Sequence, residues 1–199
     1  MDLHESLRSR RSIRRFENRP IPREVVERIL TTATFAPSAH NRQPWRFAVV
    51  STGAIKTKLA DAMAAEYYSD LQRDRLDSEQ IEALITKSRF RITSAPLLVV
   101  LCMDSSEMDA YPDARRAEAE RNMALQSTAN AEVMLLLAAH AEGLGGVWNC
   151  APLFAPDAVA RALDLPATWI PQALMLIGPS AETPPQRSRK PIESVAIFR

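Results

Sequence analysis

The run LLVVLCM, Leu97 to Met103, is apolar at seven consecutive positions, with adjacent valines at its centre. A strand with one wet face alternates apolar and polar residues. This run does not alternate and reads as a central strand covered on both faces. Pro96 stands just before it, where a missing N–H costs the ladder least. A second apolar run of the same length, VMLLLAA from Val133 to Ala139, lies late in the segment Asp113 to Glu142. That segment reads as the longest helix, with Gly143 as its C-cap. Apolar all round in its later part, it is expected to cross the core. Each run is roughly a third of a membrane span, so neither predicts a transmembrane segment.

Other elements fall around these two. Val25, Val26, Ile29, Leu30 and Ala33 recur at helical spacing between Pro22 and Phe35, with Pro22 at the first turn and Pro37 closing the run. WRFAVVS, Trp45 to Ser51, reads as a strand. Ala54 to Tyr67 and Ser78 to Arg91 read as helices separated by a polar stretch, and Asp104 to Pro112 as a loop. Short strands at Gly146 to Asn149 and Ala173 to Ile177 bracket a helix from Pro156 to Leu163. The tail from Arg187 is basic and ends in an extended VAIF. There is no repeat and no Pro/Gly/Ser linker, so the expected layout is one α+β domain over residues 1–199.

Charge and missing motifs exclude several functions. With 25 basic and 24 acidic residues the chain has no global field for nucleic acid. Yet five arginines crowd between Arg8 and Arg15, beside Ser12 and Phe16. Neither GxGxxG nor GxxxxGK[ST] occurs, and only five glycines are present, so a phosphate would have to be held by side chains. Arginine is the side chain suited to that. His4, His40 and His140 are dispersed with no cysteine cluster, which predicts no metal site. Two cysteines without a CxxC, and an N-terminus without an apolar signal core, predict a reduced, cytoplasmic protein.

RRSIRRF (Arg10 to Phe16), taken with FAPSAHNRQPWRFAVV (Phe35 to Val50), resembles the FMN-dependent nitroreductase family. EGLGGVWNC after the long helix and RSRKP near the C-terminus extend the likeness over essentially the whole chain. The resemblance implies a mostly antiparallel central sheet flanked by helices, a long buried helix and an intertwined homodimer. It implies FMN as cofactor, with Arg10, Ser12, Arg187 and Arg189 at the phosphate and ribityl region and Arg11 contributing through its backbone. Arg14 would sit at the N1/O2 edge, where positive charge favours the reduced flavin. Pro37, Ser38 and Asn41 would reach the same flavin from the partner subunit. Trp148, Asn149, Cys150 and Ala151 would line the ring, with backbone N–H groups aimed at N5 and O4. NAD(P)H and a small acceptor would take turns on the exposed ring face, so no side-chain catalyst is expected. Within the family, Arg121 to Pro166 is most similar to the branch containing the C-terminal reductase domain of the deazaflavin-biosynthesis γ-glutamyl ligase.

Several neighbours of these motifs have plainer readings. Arg8 and Arg15 read as solvated or paired, Trp45 as core, Cys150 as a small packing residue that touches the cofactor, and His40 as an exposed loop residue. Gln126 and Ser127 fit either a pyrimidine contact or buried polar pairing. Lys87 to Arg91 is a region in which the family often places a cofactor contact. The alternative function is a free-standing reductase or binding protein for a deazaflavin cofactor or its precursor, or an FMN-binding module without turnover; a nucleic-acid arm is the weakest, for want of interleaved aromatics.

Overall fold

The computed structural model describes residues 2–199. Its elements in chain order are α1 (Leu3–Ser9), α2 (Arg23–Ala33), β1 (Trp45–Val50), α3 (Gly53–Arg73), α4 (Ser78–Ser94), β2 (Leu97–Asp104), α5 (Ala114–Ala141), β3 (Gly145–Asn149), α6 (Pro156–Leu163) and β4 (Trp169–Gly178). The strands form one antiparallel sheet in the order β1-β2-β4-β3. The run read as a central strand is central: all eight residues of β2 are buried.

Alternation along β2 and β4 divides the core into two layers. Leu98, Val100, Cys102, Leu174 and Leu176 face Leu59, Ala60 and Met63 of α3 and Val159 of α6. Leu97, Val99, Leu101, Met175 and Ile177 face Ile29 and Ala33 of α2 and Leu135, Leu136 and Ala139 of α5. Each such side chain contributes about 1.5–3 kcal/mol by leaving water, which makes the sheet the rigid platform for whatever its edges carry.

Helix ends follow their local chemistry. Asp77 accepts a hydrogen bond from the N–H of Gln80 at 2.8 Å, and Asp113 from that of Arg116 at 3.0 Å, capping α4 and α5. At the other end of α5, Gly143 adopts φ 75°. Its N–H donates to the carbonyl of His140 at 3.0 Å, and that of Leu144 to Ala139 at 2.9 Å, a Schellman closure that turns the chain directly into β3.

Four expectations are corrected. α5 is not buried all round: Val133 is 46% exposed, because the sheet and α2 cover one side of the helix and the described chain leaves another uncovered. α3 continues past Tyr67 to Arg73, since Leu71 packs on Ile81 and Ile85 of α4 and makes the polar stretch the tip of a helical hairpin. β4 starts at Trp169 rather than Ala173, and its first part pairs with Cys102 to Asp104 across a bulge that accommodates Pro171. The tail forms a single 3-10 turn at Ile192–Ser194 before VAIF, and Ile197 and Phe198 stand exposed.

Candidate functional site

After α1 the chain runs along the free edge of β3. Ser12 bridges Gly146 in parallel, with the N–H of Ile13 donating to the carbonyl of Gly146 at 3.1 Å. Phe16 then bridges Ser180 beyond the end of β4. Glu182 Oε1 accepts the N–H groups of Arg14 and Arg15 at 2.6 and 3.1 Å and fixes the strip between the two bridges. The close approach depends on Gly145: a Cβ there would lie 2.7 Å from Cγ1 and 2.8 Å from Cβ of Ile13. The arginine motif and the WNC segment, far apart in sequence, thus share one sheet edge.

The charges on that strip are unevenly satisfied. Arg11 Nη1 donates to the carbonyls of Arg8, Ser9 and Arg10 at 2.7, 2.8 and 2.9 Å, capping α1, so its side chain is committed and only its main chain faces elsewhere. Arg10 is half-buried. Burial holds its guanidinium below the usual value, and Arg189 and then Arg11 add to the effect by repulsion. Arg189 therefore lies near enough to Arg10 for the two charges to repel. Arg189 Nη1 donates to the carbonyls of Arg187 and Ser188 at 3.0 and 3.1 Å, which rounds the RSR segment into a tight turn. Arg14 Nη1 makes a long contact, 3.4 Å, with the carbonyl of Ser12. Among the described residues, no ion pair involves Arg10, Arg14, Arg187 or Arg189.

At the far end of β3, Trp148 is 38% exposed. Asn149 Oδ1 accepts the N–H of Ala151 at 2.9 Å and starts the 3-10 turn Ala151–Phe154. That N–H is therefore already taken, and it does not point outward as expected. Cys150 is exposed rather than packed, because the turn lifts it off the sheet.

Pro37, Ser38 and Asn41 lie elsewhere. Their loop leads into β1, at the opposite edge of the sheet, with β2 and β4 between. Three strand spacings separate the edges, about 14 Å. The loop is strained and firmly held. His40, Asn41 and Gln43 have φ of 52°, 53° and 53°, a conformation that costs a non-glycine residue about 1 kcal/mol or more. Ser38 Oγ accepts the N–H of Gln43 at 3.1 Å. From α5, Ser127 Oγ accepts the N–H of Ala39 at 3.1 Å, and Asn130 Nδ2 donates to the carbonyl of Pro37 at 3.1 Å. Ser127 is thus a loop anchor, Gln126 is exposed, and His40 is exposed as expected. Trp45 is core, packed with Ala36 and Ala131. In the Lys87–Arg91 region, Arg89 pairs with Asp61 of α3 at 2.6 Å and Lys87 is exposed.

Sequence reasoning missed Asn130 and Glu182, which anchor the two motifs, and it passed over His140 and Glu132 on α5. His140 Nε2 lies 2.9 Å from Ser9 Oγ, and its basicity is lowered by burial and by Arg10 and Arg11. Glu132 is 2% exposed, and burial raises its carboxyl to about 8. A polar residue inside an apolar helical stretch is the one signal that could have marked either histidine or glutamate. Among the described residues no group of three or more His, Cys, Asp or Glu is placed to hold a metal ion, and no helix is long and apolar enough to cross a membrane.

An antiparallel four-stranded sheet between helical layers, with arginines along one edge, defines an α+β class. The nitroreductase family model matches residues 7–179, and the chain belongs to the nitroreductase family. It is 29% identical over 189 residues to a protein of Methanothermobacter thermautotrophicus named for NADH dehydrogenase/NAD(P)H nitroreductase, covering 94% of this chain and 82% of that one. It is 34% identical over 189 residues to the 5,6-dimethylbenzimidazole synthase of Rhodospirillum rubrum, covering 88% of this chain and 81% of that one. Among solved structures it is similar to a nitroreductase-type protein of Desulfovibrio desulfuricans in complex with FMN, with a TM-score of 0.75, 25% identity and coverage of 100% and 97%.

Proposed function

We propose that this chain is an FMN-dependent NAD(P)H oxidoreductase that reduces a small organic acceptor, working in the cytoplasm as a homodimer with two FMN sites at the subunit interface. The observation that carries the reading is the juxtaposition of Arg10 and Arg189. Two guanidinium groups from opposite ends of the chain repel one another, one of them half-buried, and among the described residues neither makes an ion pair. Such a pair is stabilised by an anion with several acceptor oxygens, and a phosphate monoester fits that demand. The solved relative from D. desulfuricans carries FMN, whose phosphate is of that class.

FMN, when bound, supplies the redox chemistry, carrying hydride through N5 from NAD(P)H to the acceptor in ping-pong order. The chain's own residues bind and orient. Arg10 and Arg189 neutralise the phosphate, with Arg187 beside them and Ser12 and the backbone of Arg11 adding hydrogen bonds. Arg14 supplies positive charge to the flavin's pyrimidine edge. Trp148, Asn149, Cys150 and Ala151 line the ring. Pro37, Ser38 and Asn41 come from the other subunit, which the separation of the two sheet edges supports, since one chain holds them apart.

A deazaflavin cofactor or its precursor is the alternative acceptor, suggested by the likeness of the WNCAPLF segment, Trp148 to Phe154, to that branch of the family. One experiment tests the function and separates the readings. The purified protein, saturated with FMN and kept anaerobic, should bleach on adding NADH or NADPH. Its colour should return with a nitroaromatic, a quinone or an oxidised deazaflavin, and the fastest of the three identifies the acceptor class. Tightly bound FMN that neither nucleotide bleaches would make the protein a binding module and overturn the oxidoreductase reading.

A further inference from the structure

Residues 12–16 do not run as a regular strand. In a strand, successive N–H groups point to opposite edges and successive side chains to opposite faces. Here the N–H of Ile13 goes to the carbonyl of Gly146 at 3.1 Å, but those of Arg14 and Arg15 converge on one oxygen, Glu182 Oε1, at 2.6 and 3.1 Å. Consecutive N–H groups that meet in this way form a concavity suited to an anion, and the chain fills it with its own carboxylate. The side chains follow the kink: Ile13 is buried, whereas Arg14 and Arg15 are both exposed.

Glu182 is itself aimed. Residues 179–182 run back along the strip beyond β4. The N–H of Glu17 donates to the carbonyl of Pro179 at 2.9 Å, and that of Ala181 to the carbonyl of Arg15 at 3.0 Å. Ser180 Oγ donates to the carbonyl of Glu182 at 2.5 Å and accepts its N–H at 3.2 Å, which closes the turn. Glu182 is half-buried against a strip that carries two arginines, yet among the described residues no ion pair involves it. Its carboxylate engages the main chain of Arg14, and the Arg14 guanidinium stays unneutralised.

We propose that Glu182 is a positioning residue for the flavin's pyrimidine edge: by gripping the main chain of Arg14 it presents that guanidinium to the ring, and through Arg14 it raises the reduction potential of bound FMN. The inference rests on the place given to Arg14 under the FMN reading and deepens it. Gripping the side chain instead would cancel the positive charge that favours the reduced flavin; gripping the main chain preserves it. The role also fixes a sign. A carboxylate acting on the ring by its own charge disfavours the reduced flavin, so its removal would raise the potential. A carboxylate acting through Arg14 does the opposite: its removal frees the guanidinium to leave the ring, and the potential falls.

The test is an anaerobic, dye-linked redox titration of the FMN-loaded protein, which reads the potential of the bound flavin. Wild type and Arg14→Ala are compared with Glu182→Gln, Glu182→Asp and Glu182→Ala. Glutamine keeps the reach and an oxygen that can accept both N–H groups, without the charge. Aspartate keeps the charge but, a methylene shorter, loses the reach. Glu182→Gln should therefore stay close to the wild-type potential, while Glu182→Asp and Glu182→Ala should lower it toward the value of Arg14→Ala. In Arg14→Ala/Glu182→Ala the potential should fall no further than in Arg14→Ala alone. Because this edge belongs to the ring, Glu182→Ala should weaken FMN and riboflavin together, by up to about tenfold. The contrast of Gln with Asp decides the matter even if Glu182→Ala does not fold. A raised potential in Glu182→Gln, with Glu182→Asp at the wild-type value, would show the carboxylate's own charge acting on the ring and overturn the inference. Wild-type potentials in Glu182→Asp and Glu182→Ala, beside a lowered one in Arg14→Ala, would overturn it while leaving Arg14 in place. An unchanged potential in Arg14→Ala would take Arg14 off the ring edge, and the role of Glu182 falls with it; a protein that binds no FMN would sink the FMN reading itself.

Discussion

Arg10 keeps its charge at any pH the folded chain meets, and burying half of it beside Arg189 is costly without an anion. Arg10→Ala should therefore weaken FMN by about tenfold to a hundredfold, the worth of one charge-assisted bond, while changing riboflavin binding little. Fluorescence quenching of the two ligands measures this, and equal losses would take Arg10 off the phosphate. Glu132 poses the opposite problem, an acid among apolar neighbours. Burial raises its carboxyl from an ordinary 4.5 to about 8. Between those values the folded chain holds a proton that the unfolded chain has released, so stability falls as pH rises through the window and levels off above it. Glu132→Gln keeps the shape and removes the titration. Its denaturation midpoint should lose less than wild type between about pH 5 and pH 8.5, with a difference on the order of a few kcal/mol. Parallel losses in the two proteins would place the titrating group elsewhere.

The elements that carry these residues were legible where local chemistry decides them. The unbroken apolar run from Leu97 announced β2, the spacing of Val25 to Ala33 announced α2, and Gly143 marked the end of α5. Arg10, Ser12 and Arg189 are singled out by the resemblance of their motifs to the nitroreductase family; the shortage of glycine points only to arginine in general as a phosphate ligand. What could not be read depends on contacts between distant residues. The extension of α3 rests on Leu71 meeting α4, the bulge at the start of β4 on its pairing with Cys102, and the anchoring role of Glu182 on two N–H groups far away in sequence. Gly145 belongs with these. Its neighbour in space is Ile13, and the contact presses on Ile13 Cβ, an atom that cannot swing away without its backbone. Gly145→Ala should push the arginine strip off β3 and lower FMN affinity at least tenfold, an estimate from losing a hydrogen bond and the adjoining packing. Gly53→Ala, with nothing within 4 Å of the new methyl group, serves as the control and should leave FMN binding unchanged. If the two variants bind FMN alike, the close approach is not what positions the arginines.

At the scale of the whole molecule the two motifs that resemble flavin contacts sit on opposite edges of one sheet. The arginine strip lies along β3 and the strained PSAHN loop leads into β1, with β2 and β4 between. The proposed two-fold dimer would set one chain's strip against its partner's loop, twice over, so that each site would draw on both chains. The arrangement has a consequence that no one-chain site shares. Let one tagged chain carry Arg10→Ala and a differently tagged chain carry Asn41→Ala, at an FMN concentration low enough that each mutant homodimer has lost its flavin. In a mixed dimer one site then receives both defects, and the other combines a wild-type Arg10 with a wild-type Asn41. With equal expression and random pairing about half the dimers are mixed, so about a quarter of all sites should recover FMN. Flavin absorbance per protomer, measured after purification through both tags in series, should reach about half a site per chain. Doubly tagged dimers that hold no FMN would mean that both contacts come from the same chain, and the loop on β1 would then have to serve some other ligand.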